Sequence, residues 1–322
     1  MRVLYTAAVM SIFALSTPAA ELRPVHRAET FTRDLSWQPV ARYQGGAVFS
    51  RDSSLSKLWI EDAFRAKTVL EKHLSLPDSF RVLISDVAVS YDGTIAASAS
   101  ATDREGRSFA VIAWLGPDGS LLRVVRTTPF GAGKVSFTAD GSLWAAGILK
   151  SDETLREEAS VYDVLRRYSA EGVLVGTYLS RLSLSSGWRH PTHGAILVTS
   201  RDRVAFVSES AKKWAVLAAD GTLLGQGTLS SPENFRTFVG AITDSGRLFV
   251  SGQWRGNPPA LGSYPRIPLF EVNQRTGELE LVDTPEVSPD GSLGHLLGSE
   301  GEQLVFHVKS VAGRQIVWRN VD

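Results

Sequence analysis

Two tryptophans and four arginines crowd three stretches of the second half of the chain. These are Ser186-Gly-Trp188-Arg189-His190-Pro-Thr-His193, Glu233-Asn234-Phe235-Arg236, and Gln253-Trp254-Arg255-Gly-Asn257 continuing through Tyr264-Pro-Arg266. Guanidinium groups fork onto carboxylates or phosphates and lie over aromatic faces. Trp188, Arg189, His190, Arg236, Trp254 and Arg255 could therefore stack a planar or sugar-like ligand and hold an anionic group. The simpler reading is that the tryptophans cover strand ends and the arginines pair with nearby acids, as such residues do on the rim of any large β domain.

The histidines offer a second chemistry. His190 and His193 stand three apart and His295 lies further on, so the three could gather as metal ligands. A lone His-x-x-His beside Pro191 is more often structural, and no metal is the first expectation. Oxygen ligands for a hard cation are scarce, with only Glu233, Asn234 and Asn257 nearby. There is no cysteine nucleophile, no Gly-x-Ser-x-Gly elbow and no glycine-rich loop joining strand to helix. No cofactor is expected, and a binding role is favoured over an enzymatic one. The alternative is a metal-dependent hydrolase or lyase using His190, His193 or His295.

What must position these residues is a repeat. Turn signals lying between small, apolar strands fall at Gly45-Gly46, Asp92-Gly93, Asp140-Gly141, Asp202, Ser245-Gly246 and Glu300-Gly301, roughly 50 residues apart, as in repeat architectures. A second set interleaves with them: Arg65-Ala66, Asp118-Gly119, Glu171-Gly172, Asp220-Gly221 and Thr276-Gly277. An aromatic precedes most of these second turns: Trp59, Trp114, Tyr168, Trp214 and Phe270. Each interval thus holds two hairpins, or four strands.

Six such units predict an all-β fold, a six-bladed β-propeller of four-stranded antiparallel blades. The blades are expected at 37–73, 83–126, 134–178, 195–229, 237–282 and 295–318. The sixth lacks a strand, and two readings stay open. Either 25–32 supplies it and closes the ring, leaving no free edge, or 306–318 forms a hairpin of its own and 25–32 is a tail. Residues 58–73 and 152–168 have helix-friendly composition, but the repeat is expected to override local propensity there.

With its turns placed, the chain resembles six-bladed propellers of the NHL and TolB-like type. The resemblance rests on units such as Val87-Ala-Val-Ser-Tyr-Asp92-Gly93-Thr-Ile-Ala, Thr138-Ala-Asp140-Gly141-Ser-Leu-Trp144 and Leu217-Ala-Ala-Asp220-Gly221-Thr-Leu-Leu. It implies a fold rather than an activity. In such a ring the long loops bearing the tryptophans and arginines would emerge together on one face.

The address is written at the start of the chain. Met1-Arg2, an apolar run over 3–15 and the small residues of Ser16-Thr-Pro-Ala-Ala20 predict a signal peptide over 1–20, with a single propeller domain over 21–322 and no membrane span after cleavage. With Cys 0 there is neither a disulfide nor a lipid-bearing cysteine, and a periplasmic or secreted protein is expected. Basic and acidic residues balance at 34 each, so no long-range field favours nucleic acid. The expected role is an exported binding or interaction module, its partner an unknown protein or a small anionic or carbohydrate ligand.

Overall fold

The computed structural model describes residues 22–30, 41–62, 69–149, 162–184, 194–254, 267–282, 294–310 and 313–321. The first described element is β1 (Leu22–Thr30). Blade one follows as β2 (Arg42–Gln44), β3 (Ala47–Arg51), β4 (Lys57–Asp62) and β5 (Val69–His73). Blade two is β6 (Ser79–Val89), β7 (Ile95–Asp103), β8 (Ser108–Leu115) and β9 (Leu121–Arg126). Blade three is β10 (Phe130–Phe137), β11 (Leu143–Leu149), β12 (Asp163–Tyr168) and β13 (Leu174–Ser180), with a single helical turn, α1 (Arg181–Leu184), after it. Blade four is β14 (Ala195–Thr199), β15 (Arg203–Ser208), β16 (Lys213–Ala218) and β17 (Leu223–Thr228). Blade five is β18 (Phe235–Ile242), β19 (Leu248–Trp254), β20 (Leu269–Val272) and β21 (Leu279–Leu281). Blade six is β22 (His295–Glu300), β23 (Gln303–Ser310) and β24 (Gly313–Val321), completed by β1.

The six-bladed all-β reading holds. Blades one to five are sequential four-stranded meanders, and in the sixth β1 pairs antiparallel with β24, from Leu22 opposite Val321 to Thr30 opposite Gln315. Of the two readings of blade six, ring closure is the one found. Both helix-friendly stretches carry strands where they are described, β4 and β5 in one and β12 in the other; residues 152–161 lie outside the described residues. Among the described residues no helix is long and apolar enough to cross a membrane.

The repeated aromatic is the wedge between blades. Trp59, Trp114, Tyr168, Trp214 and Phe270 are all buried on third strands, and Trp318 on β24 takes the same place in blade six. Trp114 meets Tyr168 edge-on at 6.3 Å across the contact of blades two and three, and Tyr43 meets Trp318 at 5.9 Å across the closure. Such pairs carry large buried areas and fix orientation as well.

The Asp-Gly signal has a local cause. The carboxylates of Asp92, Asp118, Asp140 and Asp220 accept the backbone N–H two residues on, from Thr94, Ser120, Ser142 and Thr222. The glycine after each sits at positive φ, between 76° and 98°, a region open to Gly without steric cost. These bonds favour the ionised acid. Asp92 is held below the usual carboxylate range mainly by the Ser90 hydroxyl. At Asp140 burial opposes the charge, but donors from Thr138 and Ser142 and the Arg167 guanidinium outweigh it. A depressed folded-state pKa contributes stability above the unfolded value, near 3.9, that is lost as pH falls through the folded one. Thermal stability is therefore expected to fall from about pH 4 downward, and Asp92→Asn with Asp140→Asn should flatten that slope. A midpoint equally acid-sensitive in the double variant would contradict it.

Candidate functional site: the channel mouth

Inner strands β2, β6, β10, β14, β18 and β22 stand side by side around the central axis. Antiparallel strands within a blade put the turns after first and third strands on one face. The loops leading into first strands, and those joining second to third strands, are on the other.

Near the turn face the channel is plugged. Gln44, buried on β2, reaches across the ring, its Nε2 donating to the Phe137 carbonyl at 2.5 Å and to Thr199 Oγ1 at 2.6 Å. Its Oε1 accepts the Phe137 N–H at 3.4 Å, so one side chain satisfies both main-chain groups of a residue two blades away. Ser136 and Thr199 hydroxyls meet at 3.0 Å. A cavity lined by Arg42, Gln44, Ser136, Thr199 and Ser299 among others is about 20 Å³, room for about one water.

Two residues nearer the loop-rich face lies a charged storey. Side chains at i and i+2 share a face of a strand, so Arg42 sits behind Gln44 and Lys134 behind Ser136. Arg42 Nη2 pairs with Asp86 Oδ2 at 2.8 Å and also donates to the Val87 carbonyl, while Nη1 donates to the Leu197 carbonyl at 3.3 Å. Its guanidinium lies 5.3 Å from the Phe49 ring centre. Asp86 Oδ2 accepts the Val135 N–H at 2.9 Å. Arg42 thereby ties blade one to blades two and four, and Asp86 ties blade two to blade three. Arg51 Nε donates to the Ser85 carbonyl at 2.9 Å.

Lys134 is half-buried in area yet lies deep within the ring. The charge of Asp86 favours its ammonium form, but desolvation and the positive charges of Arg42 and Arg51 outweigh that pull and hold the amine below the usual lysine value. Among the described residues, three cations thus face one carboxylate.

Bulges shape this storey. First strands carry one extra residue at Ser85, Gly133, Phe238 and Leu297, where the register shifts between Ile84/Asp86, Ala132/Lys134, Thr237/Val239 and Leu296/Gly298. A bulge re-aims the residues that follow it, and two of these are Asp86 and Lys134. In blades three and five the second strand yields to it: a Cβ on Gly147 or Gly252 would collide with the Gly131 or Arg236 carbonyl and press on the Phe130 or Phe235 ring. Gly133 and Phe238 are exposed.

Of the residues singled out in the sequence, Arg236 and Trp254 are described, and they lie near each other at the loop-rich end of blade five. Phe235 pairs with Trp254 and Arg236 with Gln253. The Trp254 ring packs on Phe235 at 5.2 Å, which gives it a structural task at the blade end. Arg236 is half-buried. Trp188, Arg189, His190, His193 and Arg255 lie outside the described residues, as does Asn257. His295 faces His307 at 6.4 Å between ring centres, and no group of three metal-ligating side chains occurs among the described residues. Arg42, Arg51, Asp86 and Lys134 escaped the sequence reading. Their available signal was a charge set in an apolar strand, as in Leu83-Ile-Ser-Asp86-Val-Ala-Val.

On the turn face Tyr91 sits among Asp244, Arg201 and Glu300. Its phenol is pushed up to about 12, by partial burial first and then by the Asp244 and Glu300 charges against Arg201.

No family model matches the chain, and no curated protein matches it. Solved structures do. A Bacteroides fragilis protein inferred to be exported aligns over 94% of this chain and 96% of its own, at 11% identity and a TM-score of 0.52. A luciferin-regenerating enzyme aligns over 92% and 95%, at 11% identity and a TM-score of 0.47. A glucose dehydrogenase aligns over 90% and 99%, at 12% identity and a TM-score of 0.47. At such identities the first of these likenesses speaks for the fold alone: the chain is a six-bladed β-propeller.

Proposed function

We propose that this propeller is an exported binding module that takes a small anionic ligand at the channel mouth on its loop-rich face. The observation that carries the reading is the charge imbalance of the inner storey, where among the described residues Asp86 is the one carboxylate set against Arg42, Arg51 and Lys134. A rigid ring holds such groups in fixed relation, and cations short of carboxylate partners in a low-dielectric recess favour an anion. Export rests on the leader-like residues 1–20, and kinship with NHL and TolB-like propellers rests on the Asp-Gly units. Trp188, Arg189, His190, Arg236, Trp254 and Arg255 belong to the same reading as further candidate ligand contacts, Trp254 also packing on Phe235.

The test is calorimetric titration of the mature protein with inorganic phosphate and with citrate at low salt. Binding is expected to weaken at least about fivefold, or ~1 kcal/mol, in Arg51→Gln and in Lys134→Gln. Heat indistinguishable from dilution with both anions, or affinity unchanged in both variants, would overturn the proposal.

A further inference from the structure

We infer that Lys134 is a reactive amine, able to condense with small carbonyl compounds that carry an anionic group, such as α-keto acids and aldehyde phosphates. The inference rests on the anion reading of the channel mouth and adds covalent chemistry to it.

Three other lysines direct their amines to neutral hydrogen-bond acceptors. Lys72 donates to the Gly119 carbonyl, Lys212 to the Ser231 hydroxyl at 2.7 Å and Lys213 to the Thr228 hydroxyl at 2.8 Å. For Lys134 the nearby carboxylate, Asp86, is already engaged by Arg42 and by the Val135 N–H. The amine stands on the channel wall, next to the Gly133 bulge, in a recess with two guanidinium groups. Desolvation and neighbouring cations are what make a lysine a nucleophile near neutral pH. The same guanidinium groups would hold the carboxylate or phosphate of the incoming compound.

The chemistry is a condensation without redox change. The neutral amine nitrogen attacks the carbonyl carbon and forms a C–N bond, giving a carbinolamine. The carbonyl oxygen then leaves as water, carrying the two protons that the nitrogen gives up through solvent. An imine to Lys134 remains, and the net change is release of one water. A donor at the leaving oxygen speeds the second half, and solvent entering from the channel mouth supplies it.

The experiment is reductive trapping on the full mature chain. Protein is incubated with glyoxylate, or in parallel with pyridoxal 5′-phosphate as an aldehyde phosphate probe. Borohydride then reduces any imine to a stable secondary amine, and peptide mapping by mass spectrometry locates it. Lys134 is expected to be trapped at least about tenfold faster than Lys57, Lys212 or Lys213 near pH 8. Excess inorganic phosphate should slow trapping at Lys134 selectively, and Lys134→Arg should lose only that labelled peptide. Trapping of Lys134 no faster than of Lys212 would overturn the inference, and the wild-type map decides this even if the variant does not fold. Fast trapping together with silent phosphate titration would overturn the anion reading alone, because the two measurements are independent.

Discussion

Removal of residues 22–30 should lower the thermal unfolding midpoint by about 10 °C or more and broaden the transition. β1 is the outer strand of blade six, and among the described residues nothing else pairs with that edge of β24. Losing a nine-residue antiparallel partner gives up roughly half a dozen backbone hydrogen bonds, each worth about 1 kcal/mol net, so about 5 kcal/mol is at stake. The loss falls where the ring closes. Neighbouring residues of β24 include Ile316, Val317 and Trp318, all buried, and the Trp318 indole donates to Glu300 at 2.8 Å. Glu300 also accepts the Tyr43 hydroxyl at 2.9 Å, so loosening β24 disturbs the joint between the last blade and the first. Differential scanning calorimetry of the shortened and intact mature chains reads the effect, and a synthetic peptide of residues 22–30 added in excess should restore part of the midpoint. An unchanged midpoint would show that β1 only decorates a ring closed by other means.

Asp86→Ala is the second large effect, at about 3–5 kcal/mol of lost stability. The carboxylate is buried and is the sole acid in contact with Arg42 among the described residues. Its removal leaves the guanidinium with carbonyl acceptors only, strips the Val135 N–H of its acceptor, and takes away the charge that opposes Arg42, Arg51 and Lys134. Breaking one side of a buried pair costs more than replacing both, because the remaining charge has lost its compensation. Arg42→Met combined with Asp86→Leu should therefore recover a good part of the loss. Urea unfolding of the single and double variants measures it, with the midpoint read at constant slope. A loss under about 1 kcal/mol in Asp86→Ala would mean that solvent in the channel already screens the pair, as it does at exposed ion pairs.

What the chain itself determined is its repeat. Asp92, Asp118, Asp140 and Asp220 each bond to a backbone N–H two residues away, and the following glycine takes the positive φ that the turn needs. Such chemistry is complete within five residues, so it can be read without knowing the fold. Trp59, Trp114, Tyr168, Trp214 and Phe270 recur for a related reason, since each unit must fill the same gap against its neighbour. Turn positions and large aromatics together gave the blade count and the four-stranded unit of the first five blades.

Tertiary structure decided the closure and the charged storey. Residues 25–32 read equally as a strand or as a tail, because an edge strand is defined by its partner, and β24 lies at the far end of the chain. Arg42 and Asp86 stand 44 positions apart, and Lys134 sits in the next blade again; no local pattern links the three. They meet because equivalent positions of successive blades are carried to one axis, and because bulges at Ser85 and Gly133 shift register by one residue just before Asp86 and Lys134. In a strand of period two, a one-residue shift changes which side chains point inward. Repeat chemistry is local and so is written in sequence, whereas a channel is formed by what all six inner strands present to one another.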